Sequence, residues 1–357
     1  MESVRAGARP WSRNKEWSRN KEWSRSRKLS RLGRPAMIVA PAALALLAAG
    51  CHAAPAGPGQ AVNQQITVAA VPGFATAPLQ VAVREGLFTR YHVDVNVQTY
   101  PTLQRAYAAL GSGQAEVISG DYAGLLYAQS HPSGARLRLI ADGYDATPGV
   151  MEVLTLPGSP ITNPQQLEGK AVGTPLPELA PFSADAPYNV ETLATEAVLQ
   201  TDGVSPSSVV WKPMPADDMI TALRDHRVSA IVAPQPYILQ AQTELGAEEL
   251  FDVCSGVTAS LPLSGYFTTA GFARDYPAAL HGFQAALTAA KASTGQPGTV
   301  RSVLSALPGM TAQQADLVTV GQYPTFLSVG QVQRVADLMY GTGMIINTIA
   351  MRPLLFR

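Results

Sequence analysis

Cysteine is nearly absent: Cys51 and Cys254 are the only two in 357 residues. Two thiols cannot build the disulfide framework on which small secreted scaffolds depend. Positive charge is scarce where a folded body would be. Residues 1–50 carry 11 Lys and Arg against 3 acids, leaving 15 against 23 in residues 51–357, a net charge of −8. A body of that sign repels phosphate backbones, so nucleic-acid binding is not expected. Enzyme signatures are missing as well. There is no G-x-S-x-G elbow and no phosphate-binding G-x-x-x-x-G-K-S/T loop, and Gly111-Ser112-Gly113 lacks the third glycine of a dinucleotide loop. The five histidines, His52, His92, His131, His226 and His281, stand far apart with no partner at metal-ligand spacing. No metal and no cofactor are therefore expected. Cys254 follows the apolar stretch Leu250, Phe251, Val253 with no acid–base pattern around it, which fits a buried structural thiol.

What is present reads as globular: 46% of residues are hydrophobic and 15% charged. At about 150 residues per domain the length suggests two domains. The first 35 residues contain a polar hexamer, Trp11 to Glu16, repeated from Trp17 and begun again at Trp23. Nothing in that repeat can form a core, and it reads as a basic leader. The apolar run at residues 36–49 has 14 residues and contains Pro41. It falls short of the roughly 20 residues of a spanning helix and fits the apolar region of a secretory signal. Residues 52–64 are small, polar and rich in Pro and Gly, as a flexible tether would be.

From Ile66 onward, strand and helix periods alternate. Ile66 to Val71 is a short apolar run, and Thr76 with Pro78 precedes Leu79, Ala82 and Val83 at helical spacing. Val93, Val95 and Val97 alternate with polar residues. Thr102 then precedes Leu103, Ala106, Tyr107 and Leu110. Further strands are expected at 115–119, 136–141 and 151–156. A second series adds strands at 170–173, 209–211 and 228–232, with helices after Asn189 and Asp217. Beyond about Gly256 one strand at 266–270 is followed mostly by helix. Strands alternating with helices of about ten residues imply an α/β chain whose largely parallel sheets are covered on both faces.

Residues 47–51, Leu47-Ala48-Ala49-Gly50-Cys51, resemble the lipobox of bacterial lipoproteins, with Leu47 one place earlier than usual. That resemblance implies lipidation of Cys51 and removal of residues 1–50; the alternative is an ordinary signal peptide cut near Ala49 or Ala54. Three further segments are ordered as in the solute-binding proteins of ABC importers. They are Glu85 to Val95, Ala108 to Gly120, and the stretch from Leu167-Glu168-Gly169-Lys170 through Asp218 to Val232-Ala233-Pro234-Gln235-Pro236-Tyr237. Together they resemble the group that handles nitrate, sulfonates, taurine and thiamine precursors, with His92 where that group usually has glycine.

The resemblance implies a type 2 periplasmic-binding-protein fold of two lobes joined by two crossovers. Lobe 1 would comprise 65–156 plus 257–357, and lobe 2 would comprise 157–256. Ligand would lie in the cleft between them, at strand ends and helix starts. The residues it assigns to ligand are Phe74, Thr76, Tyr100, Thr102, Asp121 and Tyr122 from the first lobe, and Thr174, Tyr188, Asn189, Gln235 and Tyr237 from the second. Thr76, Thr102 and Asn189 fit helix N-caps equally well, and both roles can hold at once. Tyr122, Tyr188 and Tyr237 fit a core as readily as a cleft. Glu178, Phe182 and Asp185 fall in a Pro-rich loop, at the cleft mouth or in solvent.

The implied protein is not an enzyme. It is an exported monomer, anchored by lipid to the outer face of the cell membrane, that hands a small molecule to an ABC permease and its ATPase. The aromatic residues and acids, with no Lys or Arg among them, point to a ring compound that is neutral or cationic. Two alternatives stay open: an enzyme of the same fold, of the pyrimidine-precursor or menaquinone-pathway type, and a module that presents ligand to a membrane sensor.

Overall fold

Each strand of the chain is placed by where it must end. In the computed structural model, which describes residues 64–131, 134–176, 189–307 and 310–357, two five-stranded sheets are formed. The leader, Cys51 and the tether up to Asn63 lie outside the described residues, as do Glu178, Phe182, Asp185 and Tyr188. The first sheet begins with β1 (Gln64–Ala70), α1 (Ala77–Arg84), α2 (Leu87–Arg90), β2 (Val93–Thr99) and α3 (Leu103–Ser112). It continues through β3 (Val117–Asp121), α4 (Tyr122–Ser130) and β4 (Leu137–Asp145). The second holds β5 (Met151–Thr155), β6 (Ala171–Pro175), α5 (Val190–Thr201), β7 (Val210–Met214) and α6 (Ala216–Arg224). It is completed by β8 (Ala230–Pro234), α7 (Tyr237–Leu245) and β9 (Glu248–Asp252). The chain then returns to the first sheet with β10 (Pro262–Thr269) and ends in α8 (Ala270–Asp275), α9 (Pro277–Thr294), α10 (Pro297–Leu304), α11 (Ala312–Leu317) and α12 (Val329–Gly341).

The strand orders are β2-β1-β3-β10-β4 and β7-β6-β8-β5-β9. Within them β1 runs parallel to β2 and β3, and β6 to β7 and β8. The strand that enters each sheet from a crossover is inverted: β10 is antiparallel to β3 and β4, and β5 to β8 and β9. A strand coming from the junction starts where the parallel strands finish, so it has to run the other way. The junction is therefore lined by the ends of parallel strands and the starts of two inverted ones.

The first crossover comes earlier than the sequence suggested. The expected exit near Leu156 would leave residues 151–156 in lobe 1, yet Met151 to Leu154 pair with Pro234 to Ile231 of β8. The chain has already changed sheet between Asp145 and Met151. A valine-rich strand looks the same whichever sheet receives it, and only long-range pairing decides. The return falls between Asp252 and Pro262. The two crossovers lie side by side, with the Ala146 N–H donating to Leu261 O and the Val253 N–H to Met151 O, each at 2.9 Å.

Helix ends follow the local signals. Gly113 closes α3 at φ 74°, the left-handed conformation that glycine adopts without steric cost. His92 has φ 60°, at the place where the resembling group usually has glycine, which costs a non-glycine residue about 1 kcal/mol. Helix α9 buries Leu280, Phe283 and Leu287 against the first sheet, and the rings of Phe88 and Phe283 stack at 5.3 Å. Helix α5 packs on α4 and α12, so one apolar core, including Leu126, Leu193 and Val335, runs continuously through both lobes. The outer face of the second sheet has its own smaller core, with Leu154, Leu223, Ile231 and Ile238.

Candidate ligand cleft

The inverted-strand arrangement leaves a cavity of about 700 Å³ between the sheets. Its first-lobe wall is formed by Phe74 after β1, by Ser119 and Asp121 at the end of β3, by Tyr144 near the end of β4 and by Ser264 at the start of β10. The second lobe contributes Met151 at the start of β5, Glu191 in the first turn of α5, and Gln235 and Tyr237 after β8. Leu307 and Met310, beyond α10, also reach the cavity. Most of this surface is apolar. Among the described lining residues there are two acids, Asp121 and Glu191, and no Lys, Arg or His.

The pairing explains why these side chains converge. Ser264 lies opposite Asp121 on β3, where residues facing each other across a regular ladder project to the same side, and it meets Tyr144 on β4 at a break in register. Asp121 also caps α4: its Oδ1 accepts the Ala123 N–H at 2.7 Å and its Oδ2 the Gly124 N–H at 3.2 Å. Burial pushes the Glu191 carboxyl above the ordinary carboxylate range. The Gln235 side chain is fixed by its amide nitrogen, which donates to Gly149 O at 3.1 Å. Tyr237 presents its ring to the cavity while its hydroxyl donates to Asp217 Oδ1 at 2.9 Å. Burial, and then Asp217, push that phenol up to about 12.

A strap from the C-terminal region backs the aromatic wall. The Gly321 N–H donates to Tyr144 Oη at 2.7 Å, Asp145 and Gln322 exchange backbone hydrogen bonds at 2.8 and 3.1 Å, and Tyr323 Oη donates to Phe74 O at 2.9 Å. The rings of Tyr144 and Tyr323 stand 5.3 Å apart. A Cβ on Gly321 would lie 2.3 Å from Asp145 O, so no other residue fits there without displacement.

Of the residues expected from sequence, Phe74, Thr102, Asp121, Gln235 and Tyr237 stand on the cavity wall. Tyr188 lies outside the described residues, and the other five are placed differently. Tyr122 is enclosed in the core, with its hydroxyl on Asp142 Oδ1 at 3.1 Å and its ring edge against Phe267. The Tyr100 hydroxyl donates to Gln98 at 2.9 Å, and the residue borders a separate shallow groove with Arg105. Thr76 turns its hydroxyl back to Gly73 O at 2.8 Å. Thr174 is fully buried in β6, one residue before the lining Pro175. Asn189 is a buried N-cap whose Oδ1 accepts the Thr192 N–H at 2.8 Å, and the lining begins at the next residue, Val190. Thr102 does both jobs, lining the cavity and accepting the Arg105 N–H at 3.3 Å. Sequence reasoning did not name Tyr144, Met151, Glu191, Ser264, Leu307 or Met310. Glu191 alone had a local signal, as an acid in the first turn of a capped helix.

Behind the first-lobe wall lies a buried ionic group. Lys291 Nζ bonds Asp142 O, and the carboxyls of Asp142 and Asp145 lie close enough to it to interact. Burial raises both carboxyls and lowers the Lys291 ammonium to about 8. Cys254 is also buried, and burial with Asp252 nearby pushes its thiol far up, which makes it a poor nucleophile.

Two lobes with inverted crossover strands and a cavity at their junction define a protein of the type 2 periplasmic-binding-protein fold. The chain belongs to the NMT1/THI5-like family, whose family model matches residues 74–298. Solved structures agree with the fold. The periplasmic aliphatic sulphonate binding protein SsuA from Escherichia coli is 17% identical with a TM-score of 0.66, over 82% of this chain and 97% of that one. The alkanesulfonate-binding protein SsuA from Xanthomonas axonopodis pv. citri, bound to MOPS, is 17% identical at TM-score 0.62, over 82% and 98%. The desulfurization enzyme DSZB is 15% identical at TM-score 0.59, over 82% and 96%. No curated protein matches the sequence closely enough to count as a relative.

Proposed function

We propose that this chain is an extracytoplasmic solute-binding protein that closes on a small molecule and delivers it to an ABC permease. One observation carries the reading. The cavity is built by both lobes, so a ligand filling it would join them, and hinge closure about paired crossovers is a known switching mode. The family match and the sulfonate-binding neighbours support the class. The DSZB likeness shows that the fold also serves catalysis. Here the described lining holds no His or Cys, and its acids are placed as caps and charges, which favours binding over turnover.

The ligand we propose is a ring compound, neutral or cationic. Phe74, Tyr144 and Tyr237 offer flat surfaces, and Asp121 and Glu191 offer negative charge. A thermal-shift panel on protein starting at His52 tests this. Aromatic amines and aminopyrimidines should raise the midpoint, with about 2.7 kcal/mol of stabilisation at a hundred times the dissociation constant. A rise with taurine, an alkanesulfonate or nitrate, and none with the amines, would overturn the ligand class. We further propose that Cys51 carries diacylglyceryl lipid, because several acyl chains together hold a membrane firmly. A Cys51→Ser variant should leave the membrane fraction; recovery there at the wild-type level would count against it.

A further inference from the structure

A carboxylate in an apolar cleft needs a counter-charge, and the two acids on the described wall, Asp121 and Glu191, meet that need differently. Both oxygens of Asp121 accept backbone N–H groups at the start of α4, from Ala123 and Gly124, so its charge is answered within the fold. Glu191 is not answered in this way. Among the described residues, none hydrogen-bonds its carboxyl. The side-chain oxygens that are both unpaired and fully enclosed belong to Asp145, Glu152, Thr174, Thr192, Gln235 and Ser264, and Glu191 is not one of these. Its carboxyl is therefore accessible, and the space that this half-buried residue borders is the cavity.

The backbone beneath Glu191 is fixed. Asn189 caps α5 by accepting the Thr192 N–H at 2.8 Å and ties it to β6 by donating to Pro175 O at 2.9 Å, while the Thr195 hydroxyl donates to Glu191 O at 2.7 Å. No cation of the chain comes to meet the carboxyl. The described lining has no Lys, Arg or His, and residues 177–188, which connect β6 to α5, contain none either, only the further acids Glu178 and Asp185. The elements packed on α5 bring ionisable groups of their own: Tyr122 and Tyr127 on α4, Arg334, Asp337 and Tyr340 on α12, and Asp252 and Cys254 beside the second crossover; β6 and β8 have none. The Arg334 guanidinium is turned to Gln331 and to the carbonyls of Val257 and Ala259, and the Asp252 carboxylate accepts the N–H groups of Gly149 and Cys254. The Cys254 thiol lies close enough to interact with Glu191, and burial holds it neutral.

We infer that Glu191 sets the charge of the ligand: its carboxylate is the counter-charge for a cationic nitrogen on the ring compound, while Asp121 serves the fold. This rests on the reading of the cleft as a ring-ligand site and decides between the neutral and cationic forms left open there. Burial pushes the Glu191 carboxyl up, so before a ligand enters it keeps its proton at a pH where exposed carboxyls have lost theirs. An entering cation displaces that proton, one positive charge for another. Affinity for a cation then rises as pH climbs through the folded value and levels off above it. A neutral ring has no reason to follow.

The test uses three probes that share a benzyl ring: benzylamine and benzyltrimethylammonium, cationic throughout pH 5 to 8, and neutral benzyl alcohol. Binding is measured by calorimetry across that range, in pairs of buffers whose different ionisation heats count the protons released. Wild type, Glu191→Gln and Asp121→Asn are compared, each first shown to be folded by circular dichroism. Both cations should bind wild type about tenfold or more tightly than benzyl alcohol at pH 8, with the margin shrinking and proton release growing toward pH 5. Glu191→Gln should lose the margin, the pH slope and the proton release together, whereas Asp121→Asn should keep all three. Cation binding that ignores pH, or a cation preference that survives in Glu191→Gln, overturns the inference and leaves the ring-ligand reading standing. If none of the three probes binds at millimolar concentration the inference fails, and if alkanesulfonates bind in the same assay the ring class falls with it.

Discussion

Asp142, Asp145 and Lys291 show what single residues cost in this fold. Three ionisable groups are buried together, and the two carboxyls are held above their usual range by loss of water, Asp145 also by the charge of Asp142. A carboxyl whose folded pKa is raised stabilises the protein below its unfolded value, and that contribution is lost as pH rises through the folded value. Asp142 is pushed up to about 6, Asp145 to about 8, and both Glu152 and Glu196 to about 7. All four therefore act in one direction, and the melting temperature is expected to fall between pH 5 and pH 8. Replacing Asp145 with Asn should flatten the upper part of that decline. Differential scanning calorimetry across the range checks it, and a midpoint that climbs steadily from pH 5 to 8 would contradict the assignment. Residue identity was the less legible level of the sequence. Tyr122 follows Asp121 directly, yet one faces the cavity and the other the core, because consecutive residues at the turn from strand into helix point in different directions.

At the scale of elements, the helices and their caps were legible because their causes are local. Thr102, Asp121 and Asn189 each accept the backbone N–H groups that an N-cap should accept. Strand membership was not legible, since β5 is assigned to the second sheet only by its pairing with β8 and β9. The strap at Gly321 to Tyr323 was invisible for a similar reason. It has no period of its own and gains its role from contacts with Tyr144, Asp145 and Phe74, far away in the chain. Because a side chain at position 321 would strike the backbone oxygen of Asp145, Gly321→Ala is expected to cost about 1–3 kcal/mol in urea unfolding. The same displacement should move Tyr144 and weaken ring-ligand affinity. Wild-type stability together with unchanged binding would show that the strap yields without consequence.

For the whole molecule, the order β2-β1-β3-β10-β4 separates what the sequence presents early from what the sheet needs. A chain emerging amino-terminus first, from a ribosome or a translocation pore, completes β3 and β4 well over a hundred residues before the strand that must sit between them exists. Until Thr269 is out, both strands offer bare edges, which invite pairing with other chains. The second sheet has no such wait, because all five of its strands lie in one stretch from Met151 to Asp252. Newborn chains should therefore pass through a stage with the second lobe formed and the first gaping, and depend on a holding chaperone during it. A fragment of residues 64–260 is expected to aggregate, whereas one extended through β10 and α9 to Thr294 should stay substantially more soluble. Sedimentation of the two fragments decides the point: a monodisperse 64–260 piece would mean that the first sheet can seal its own gap, with β4 taking the place that β10 fills in the finished protein.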